Sequence, residues 1–135
     1  MDIHIIVTKP KDMRLNVDGA DWYFDAKGDL IVKICPMSGW KFEALLGIHE
    51  AVEALMCKSN GVTVKQVDDF DQIYDLEHPL DDDSEAGDDP RAPYEREHCL
   101  ATSIERILCA ELGVHWKIYD DELRETYPGP SKKKK

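Results

Sequence analysis

Hydrophobic residues alternate with other residues in the first third of the chain, which is the period of a β-strand. Ile3, Ile5 and Val7 form the first such run, and Pro10 ends it. An aromatic run at 22–24 and a β-branched run at 30–34 are joined by a short loop that contains Gly28, a pattern typical of a hairpin. These runs predict a small antiparallel sheet of about three strands, with 13–17 as a candidate fourth.

The period changes to that of a helix after Pro36. Ser38 is the predicted N-cap of a first helix that runs to about Asn60, with Gly61 directly after its end. A second helix is expected to follow Thr63, because Thr63 and Gln66 have the spacing of a capping box.

A third helix is predicted from Tyr94 to Leu112, because Pro93 suits a first helical turn and Gly113 a helix end. A short fourth helix is predicted from Trp116 to Glu125. The pattern therefore indicates one α+β domain at 1–127, a sheet followed by three to four helices. An acidic loop is expected at about 77–90 and a disordered basic tail at 128–135.

The net charge of −11 in a chain of 135 residues is concentrated in one segment. Eleven of the 28 acids lie between Asp68 and Asp89, which contains no Lys or Arg, and the other acids equal the 17 bases in number. No basic stripe with interleaved aromatics is present, which argues against nucleic-acid binding. No apolar run reaches the roughly 18 residues of a membrane helix, so no membrane role is expected.

The four cysteines are Cys35, Cys57, Cys99 and Cys109, and none forms a CxxC pair. Scattered single cysteines are typical of free thiols in a reducing compartment. The N-terminus lacks the basic start and apolar run of a secretion signal. We therefore expect a cytoplasmic protein.

The first helix carries a His-Glu-x-x-Glu pattern on its apolar stripe. His49 and Glu53 are one helical turn apart, close enough to bind one ion, and they lie among Leu45, Leu46 and Val52. A carboxylate on a core-facing stripe needs a metal ion, a cationic side chain or a proton to compensate its charge. A metal ion also explains why a histidine lies beside it.

The pattern differs in its last residue from the zinc-peptidase motif HExxH, in which both ends bind zinc and the second residue is the general base. Carried over by position, His49 and Glu53 would be metal ligands and Glu50 the catalytic base. Zn²⁺ fits best, and the carboxylate also allows Mn²⁺ or Fe²⁺. The alternative is a buried His–Glu hydrogen bond, or a Glu53 paired with an arginine from the third helix.

The third helix carries a second polar cluster on its inward face. His98 and Glu105 are two turns apart, with Ala101 between them leaving room for another helix. His98 is therefore a candidate third ligand. Glu97 or Glu105 is a candidate for a fourth ligand, or for the second-shell carboxylate that orients a histidine.

Asp71 is a further candidate ligand, since it falls on an apolar stripe with Val67 and Tyr74; the alternative is a solvated acid. Asp88 is expected to be a turn or N-cap residue. His4, His78 and His115 have no partners at ligand spacing.

From Met37 to about Tyr119 the chain resembles a family of short, uncharacterised proteins of bacteriophages and prophages. The matching features are Trp40, the HExxE at 49–53, Cys57, Phe70-Asp71, Gly87-Asp88-x-Pro90, Pro93-Tyr94-x-x-Glu97-His98, Glu105 and Glu111-Leu112-Gly113-Val114. The resemblance implies a phage origin, and with it the host cytosol, but no reaction.

Two functions follow as expectations. The first is a phage-encoded metal-binding protein that acts as a small zincin-like hydrolase on a peptide or a small-molecule amide or ester, with Glu50 activating a metal-bound water. The second is a non-enzymatic phage accessory protein that binds a host protein. In that case the His/Glu cluster is a structural metal site or a buried polar network, and the acidic segment is the contact surface.

Overall fold

The computed structural model describes residues 1–14, 19–78 and 84–127. Three strands come first and four helices follow, which confirms the predicted α+β class: β1 (Ile3–Val7), β2 (Ala20–Phe24), β3 (Leu30–Ile34), α1 (Trp40–Asn60), α2 (Val64–Glu77), α3 (Glu95–Glu111) and α4 (Trp116–Thr126). Residues 15–18 of the candidate fourth strand, residues 79–83 of the acidic loop and the tail 128–135 lie outside the described residues. Met13 and Arg14 are not in a strand.

The sheet has the order β1-β3-β2 and is mixed rather than antiparallel throughout. β2 and β3 form the predicted antiparallel hairpin, and the Asp25 carboxylate stabilises its turn by accepting the backbone N–H groups of Lys27 and Asp29. β1 instead runs parallel to β3, with Ile5 beside Val32. The connection at 8–19 leads from β1 to β2 at the opposite edge, and the hairpin then places β3 between them, parallel to β1.

α1 packs on the side of the sheet to which β3 presents its buried residues, Leu30, Val32 and Ile34. Gly47 permits a close approach, because a Cβ at that position would lie 2.6 Å from Ile5 Cγ2. The predicted N-cap was wrong by one residue. Gly39 occupies the N-cap with φ 147°, and the backbone N–H of Ser38 donates to Glu122 Oε2 at 2.9 Å.

The other helices follow their local signals. The predicted capping box at Thr63 and Gln66 begins α2, and Gly61 ends α1 in the left-handed conformation with φ 76°. A short 3-10 turn (Ala86–Asp88) precedes α3, and α3 lies along α1. No helix among the described residues has both the length and the apolar character needed to cross a membrane.

Candidate functional site

The HExxE segment of α1 faces the inner side of α3. His49, Glu53, His98 and Glu105 are all buried, at no more than 7 % exposure. Ala101 is fully buried between the two polar positions of α3, so it provides the close helix approach that its small side chain predicted. The helical periods of α1 and α3 therefore bring their imidazole and carboxylate groups together in the interior.

Glu53 lies at the centre of this cluster. Its Oε2 atom is 3.3 Å from His49 Nε2 and 2.9 Å from His98 Nδ1. Its other oxygen, Oε1, accepts a hydrogen bond of 3.0 Å from Trp22 Nε1 on β2. The Trp22 indole thus fixes the carboxylate so that a single oxygen faces both imidazoles.

His49 is held from its far side. Its Nδ1 atom is 2.8 Å from Glu105 Oε1, and the Tyr119 hydroxyl on α4 donates to Glu105 Oε2. With Nδ1 bonded to Glu105, the Nε2 atom is the one that faces Glu53. This is the arrangement by which carboxylates orient metal-binding histidines in proteins.

His98 is held in a similar way by the segment before α3. Its Nε2 atom is 3.0 Å from Glu85 Oε2 and 3.4 Å from Asp88 Oδ1. Arg124 on α4 approaches the other Glu85 oxygen at 3.5 Å. The ring also lies against the backbone of Gly87, where a Cβ would overlap it. His98 therefore presents Nδ1 to Glu53.

Ion pairs and burial have opposite effects on the pKa values of His49, Glu53 and His98, and the effect of the ion pairs is the larger. Burial alone would raise the pKa of Glu53, but hydrogen bonds from His49 and His98 lower it to about 2. Burial would lower the pKa of His98, yet its bonds to Glu53 and Glu85 raise it to about 10. The pKa of His49 is raised well above 6.5 by Glu105 and Glu53. Without a metal, these contacts favour the protonated form of both imidazoles.

Glu50 differs from the other acids of the cluster. No described residue forms a hydrogen bond or an ion pair with its half-buried carboxylate. Burial, together with the negative charge of Glu53, raises the pKa of Glu50 well above 4.5. A carboxyl group whose pKa is raised is suited to accept and return protons.

The three central donor atoms have the spacing of metal ligands. One atom each of His49, Glu53 and His98 lies within 4.8 Å of the other two. Two ligands at 2.0–2.1 Å from a tetrahedral Zn²⁺ are separated by about 3.4 Å. The distance from Glu53 Oε2 to His49 Nε2 is close to this value at 3.3 Å, and the distance to His98 Nδ1 is shorter at 2.9 Å. Two imidazoles and one carboxylate form a donor set found in catalytic zinc sites.

Two other predicted site residues lie apart from this group. The structure does not bring Asp71 to the cluster; its carboxylate accepts a hydrogen bond from the Tyr94 hydroxyl. Glu97 is buried, but it accepts a hydrogen bond from Asn60 Nδ2 at 3.0 Å and does not orient either histidine. Asp71 lies on a predicted apolar stripe and Glu97 directly precedes His98, but neither signal was sufficient to place the side chain in the cluster.

Sequence reasoning missed Trp22, Tyr119 and Glu85 as partners of the cluster. Trp22 and Tyr119 each combine a large apolar side chain with one hydrogen-bond donor, a combination that requires a polar partner when the residue is buried. This requirement could have predicted that Trp22 and Tyr119 donate hydrogen bonds to polar groups, but it does not identify those groups.

Comparisons of the chain with protein-family models, with curated proteins and with solved structures gave no match.

Proposed function

We propose that this chain binds one divalent transition-metal ion through His49 Nε2, Glu53 Oε2 and His98 Nδ1. The observation that carries the proposal is the convergence of both imidazoles on a single Glu53 oxygen, at 3.3 Å and 2.9 Å. The remaining nitrogen of each ring is bonded to a carboxylate, Glu105 or Glu85. An ion bound there would take the place of any proton held between Glu53 Oε2 and the ring nitrogen of each histidine that faces it.

Zn²⁺ is the proposed ion, because two nitrogens and one oxygen match its ligand preferences. Mn²⁺ and Fe²⁺ are the alternatives that a carboxylate ligand admits. Trp22 occupies Glu53 Oε1, which favours binding through one oxygen only. Such a three-residue set leaves a fourth position for water.

Hydrolysis of a peptide or another amide or ester is the reaction that this set would support. A metal ion of this type lowers the pKa of its bound water to near 7. Glu50 follows ligand His49 in the chain and has a free carboxylate with a raised pKa. Glu50 would accept the proton of the water, while Glu105 and Glu85 hold the two imidazoles in their orientations.

Metal content tests the first part of the proposal. We expect one zinc per chain by elemental analysis of protein expressed without an affinity tag, and loss of that zinc in His98→Ala. His115→Ala is the matched control, since His115 is exposed and lies outside the cluster. A wild-type chain without stoichiometric metal, whose Tm does not respond to a chelator, would contradict the proposal.

Glu50→Gln tests the second part. We expect this variant to keep its zinc and to lose hydrolysis of casein or nitrophenyl acetate by about 10²–10⁴-fold, the usual contribution of a general base. The exposed Glu111→Gln is the control for a change of charge. If the wild-type chain holds zinc but cleaves neither probe, the hydrolase assignment fails and the metal site stands.

One observation favours a second candidate function. All three proposed ligands are buried, and the cluster closes its own hydrogen bonds: no described buried side-chain N or O atom lacks a partner. A closed site of this kind would stabilise a non-enzymatic phage accessory protein that binds a host protein through its acidic segment. Zinc retained in Glu50→Gln with an unchanged Tm, and no hydrolysis by the wild type, is the outcome that favours this candidate.

A phage origin and the host cytosol as the compartment belong to the same proposal. They rest on the resemblance of 37–119 to phage proteins and on the four cysteines, none of which forms a disulfide. Fractionation of expressing cells would test the compartment.

A further inference from the structure

β1 is an apolar edge strand whose side chains are all exposed. It forms one edge of the sheet, and no strand among the described residues pairs with its outer side. Ile3, Ile5, Ile6 and Val7 are between 45 % and 50 % exposed. Folded proteins usually protect such an edge with lysine, proline or a bulge, and the segment Ile3–Val7 contains none of these.

The backbone groups of three β1 residues point outward. Leu30 N donates to Asp2 O and Thr8 N donates to Ile34 O, so the even-numbered residues of this segment face β3. Because successive residues of a strand point to opposite sides, the N–H and C=O groups of Ile3, Ile5 and Val7 face the open edge. They form three evenly spaced donor–acceptor pairs, centred on Ile5.

The side chains of Ile3, Ile5 and Val7 lie on the same face of the sheet as the buried residues of β3. The register places Ile3, Ile5 and Val7 beside Leu30, Val32 and Ile34, which are buried under α1. α1 reaches as far as Ile5, which approaches Gly47. The apolar face of the sheet therefore continues past the layer of helices that covers the rest of it.

We propose that β1 pairs in an antiparallel direction with β1 of a second copy, about a two-fold axis at Ile5. In this register Ile5 lies opposite Ile5 of the other copy, and Ile3 lies opposite Val7. Each of these pairs exchanges two backbone hydrogen bonds and brings two β-branched side chains together. A strand that is complementary to itself in this way forms a closed dimer with a continuous six-stranded sheet.

Charge selects this direction of pairing. Asp2 precedes the strand and Lys9 follows it. Antiparallel pairing brings the acidic end of each copy to the basic end of the other, whereas parallel pairing would place like charges together. Pro10 lacks an N–H group and ends the ladder at the same point in both copies.

Oligomeric state tests the proposal. Pairing covers only the exposed half of a few side chains, so the interface is small and the dimer should dissociate on dilution. Sedimentation of the full chain over a concentration series should show a shift between 15.4 kDa and twice this mass. Ile5→Lys should remain at the monomer mass, and Ile107→Lys, at a residue 64 % exposed on α3, should behave as wild type. A wild-type chain that is monomeric at all concentrations overturns the proposal.

Cysteine cross-linking tests the register, and it does not depend on how Ile5→Lys folds. In a Cys99→Ser background, Ile5→Cys should form a disulfide dimer under mild oxidation, since directly opposed residues are about 5.5 Å apart between Cα atoms. Ile3→Cys alone should not, because its two copies would be more than about 13 Å apart. Mixing Ile3→Cys with Val7→Cys should restore the cross-link. Equal cross-linking by all single variants, or by none, overturns the register.

Discussion

The cluster between α1 and α3 and the strand β1 depart from the usual distribution of polarity in opposite directions. His49, Glu53, His98 and Glu105 are charged or polar and buried, whereas β1 is exposed along its whole length and apolar at four of its five residues. Most proteins bury apolar side chains and expose charged ones, so both regions are informative. Each departure needs a physical explanation, and the two explanations differ in kind.

The two regions also differ in how many of their polar groups have a partner within the described residues. Every imidazole nitrogen of the cluster has a carboxylate within 3.3 Å. Removing one member therefore leaves another charge buried and unpaired. The outer groups of β1 have no partner among the described residues, so a change there removes little from the isolated chain. We therefore expect large losses of stability at the cluster and small losses at β1.

Glu53→Gln should have the largest effect. It removes the one charge that both imidazoles share, and breaking a buried ion pair costs about 3–5 kcal/mol. Urea unfolding of the metal-free chain measures this loss, and zinc binding should be lost as well. The exposed Glu111→Gln is the control. A cost below about 1 kcal/mol would mean that the cluster is solvated rather than buried.

The pH dependence of the metal-free chain should be the next largest effect. The pKa of Glu53 is lowered to about 2, so its contribution to stability is present above pH 4.5 and is lost as the pH falls towards 2. The pKa of His98, which faces Glu53, Glu85, Asp88 and His49, is raised to about 10. Its contribution is present below pH 6.5 and is lost as the pH rises towards 10.

The free energy of unfolding of the metal-free chain should therefore be greatest between pH 4.5 and 6.5. Zinc should move this maximum to higher pH, because a histidine binds metal only in its neutral form. Urea unfolding at a series of pH values, with and without zinc, measures the shift. Identical profiles would show that zinc does not bind through His98.

Tyr119→Phe should have an intermediate effect. It removes only the hydroxyl that donates to Glu105, and so loosens the carboxylate that orients His49. Loss of such a second-shell contact lowers metal affinity by about 10–100-fold. Competition with a zinc chelator measures the change. Tyr23→Phe is the control, because Tyr23 lies on β2 away from the cluster; an equal loss in both variants would exclude a specific role for Tyr119.

Ile6→Lys should have the smallest effect on the stability of the monomer. Ile6 is 45 % exposed, and substitutions at such sites usually change stability by about 0.5 kcal/mol. Urea unfolding at high dilution measures this value. A loss as large as that of Glu53→Gln would mean that β1 belongs to the core of the monomer, and the comparison drawn above would be wrong.

Much of the fold was predictable because its signals are local. The capping box at Thr63, the end of α1 at Gly61 and the hairpin between β2 and β3 depend on residues only a few positions apart. The start of α1 was misplaced by one residue, and the Ser38 backbone N–H donates to Glu122 of α4, a contact between distant segments. The direction of β1 was missed for a related reason, since the length of a connection constrains the direction of pairing only weakly.

The candidate site likewise has features that local sequence predicted and features that depend on contacts between distant segments. Helical periodicity identified the inward positions of His49, Glu53, His98 and Glu105, because residues one turn apart share a face. The same reasoning selected Asp71, which binds Tyr94 instead. Glu97 was a candidate beside His98, and it binds Asn60. A stripe shows that a side chain points inward, but not what it meets there.

The order of elements, the inward faces of the helices and the apolar character of β1 followed from the amino-acid pattern alone. Backbone propensity and the periods of helix and strand act over one or two turns, so a linear reading captures them. Three-dimensional packing established that His49 and His98 meet at one oxygen of Glu53, that Trp22 and Tyr119 complete the cluster, and that β1 lies at an edge of the sheet. These features depend on contacts between segments far apart in the chain, which only the packed structure defines.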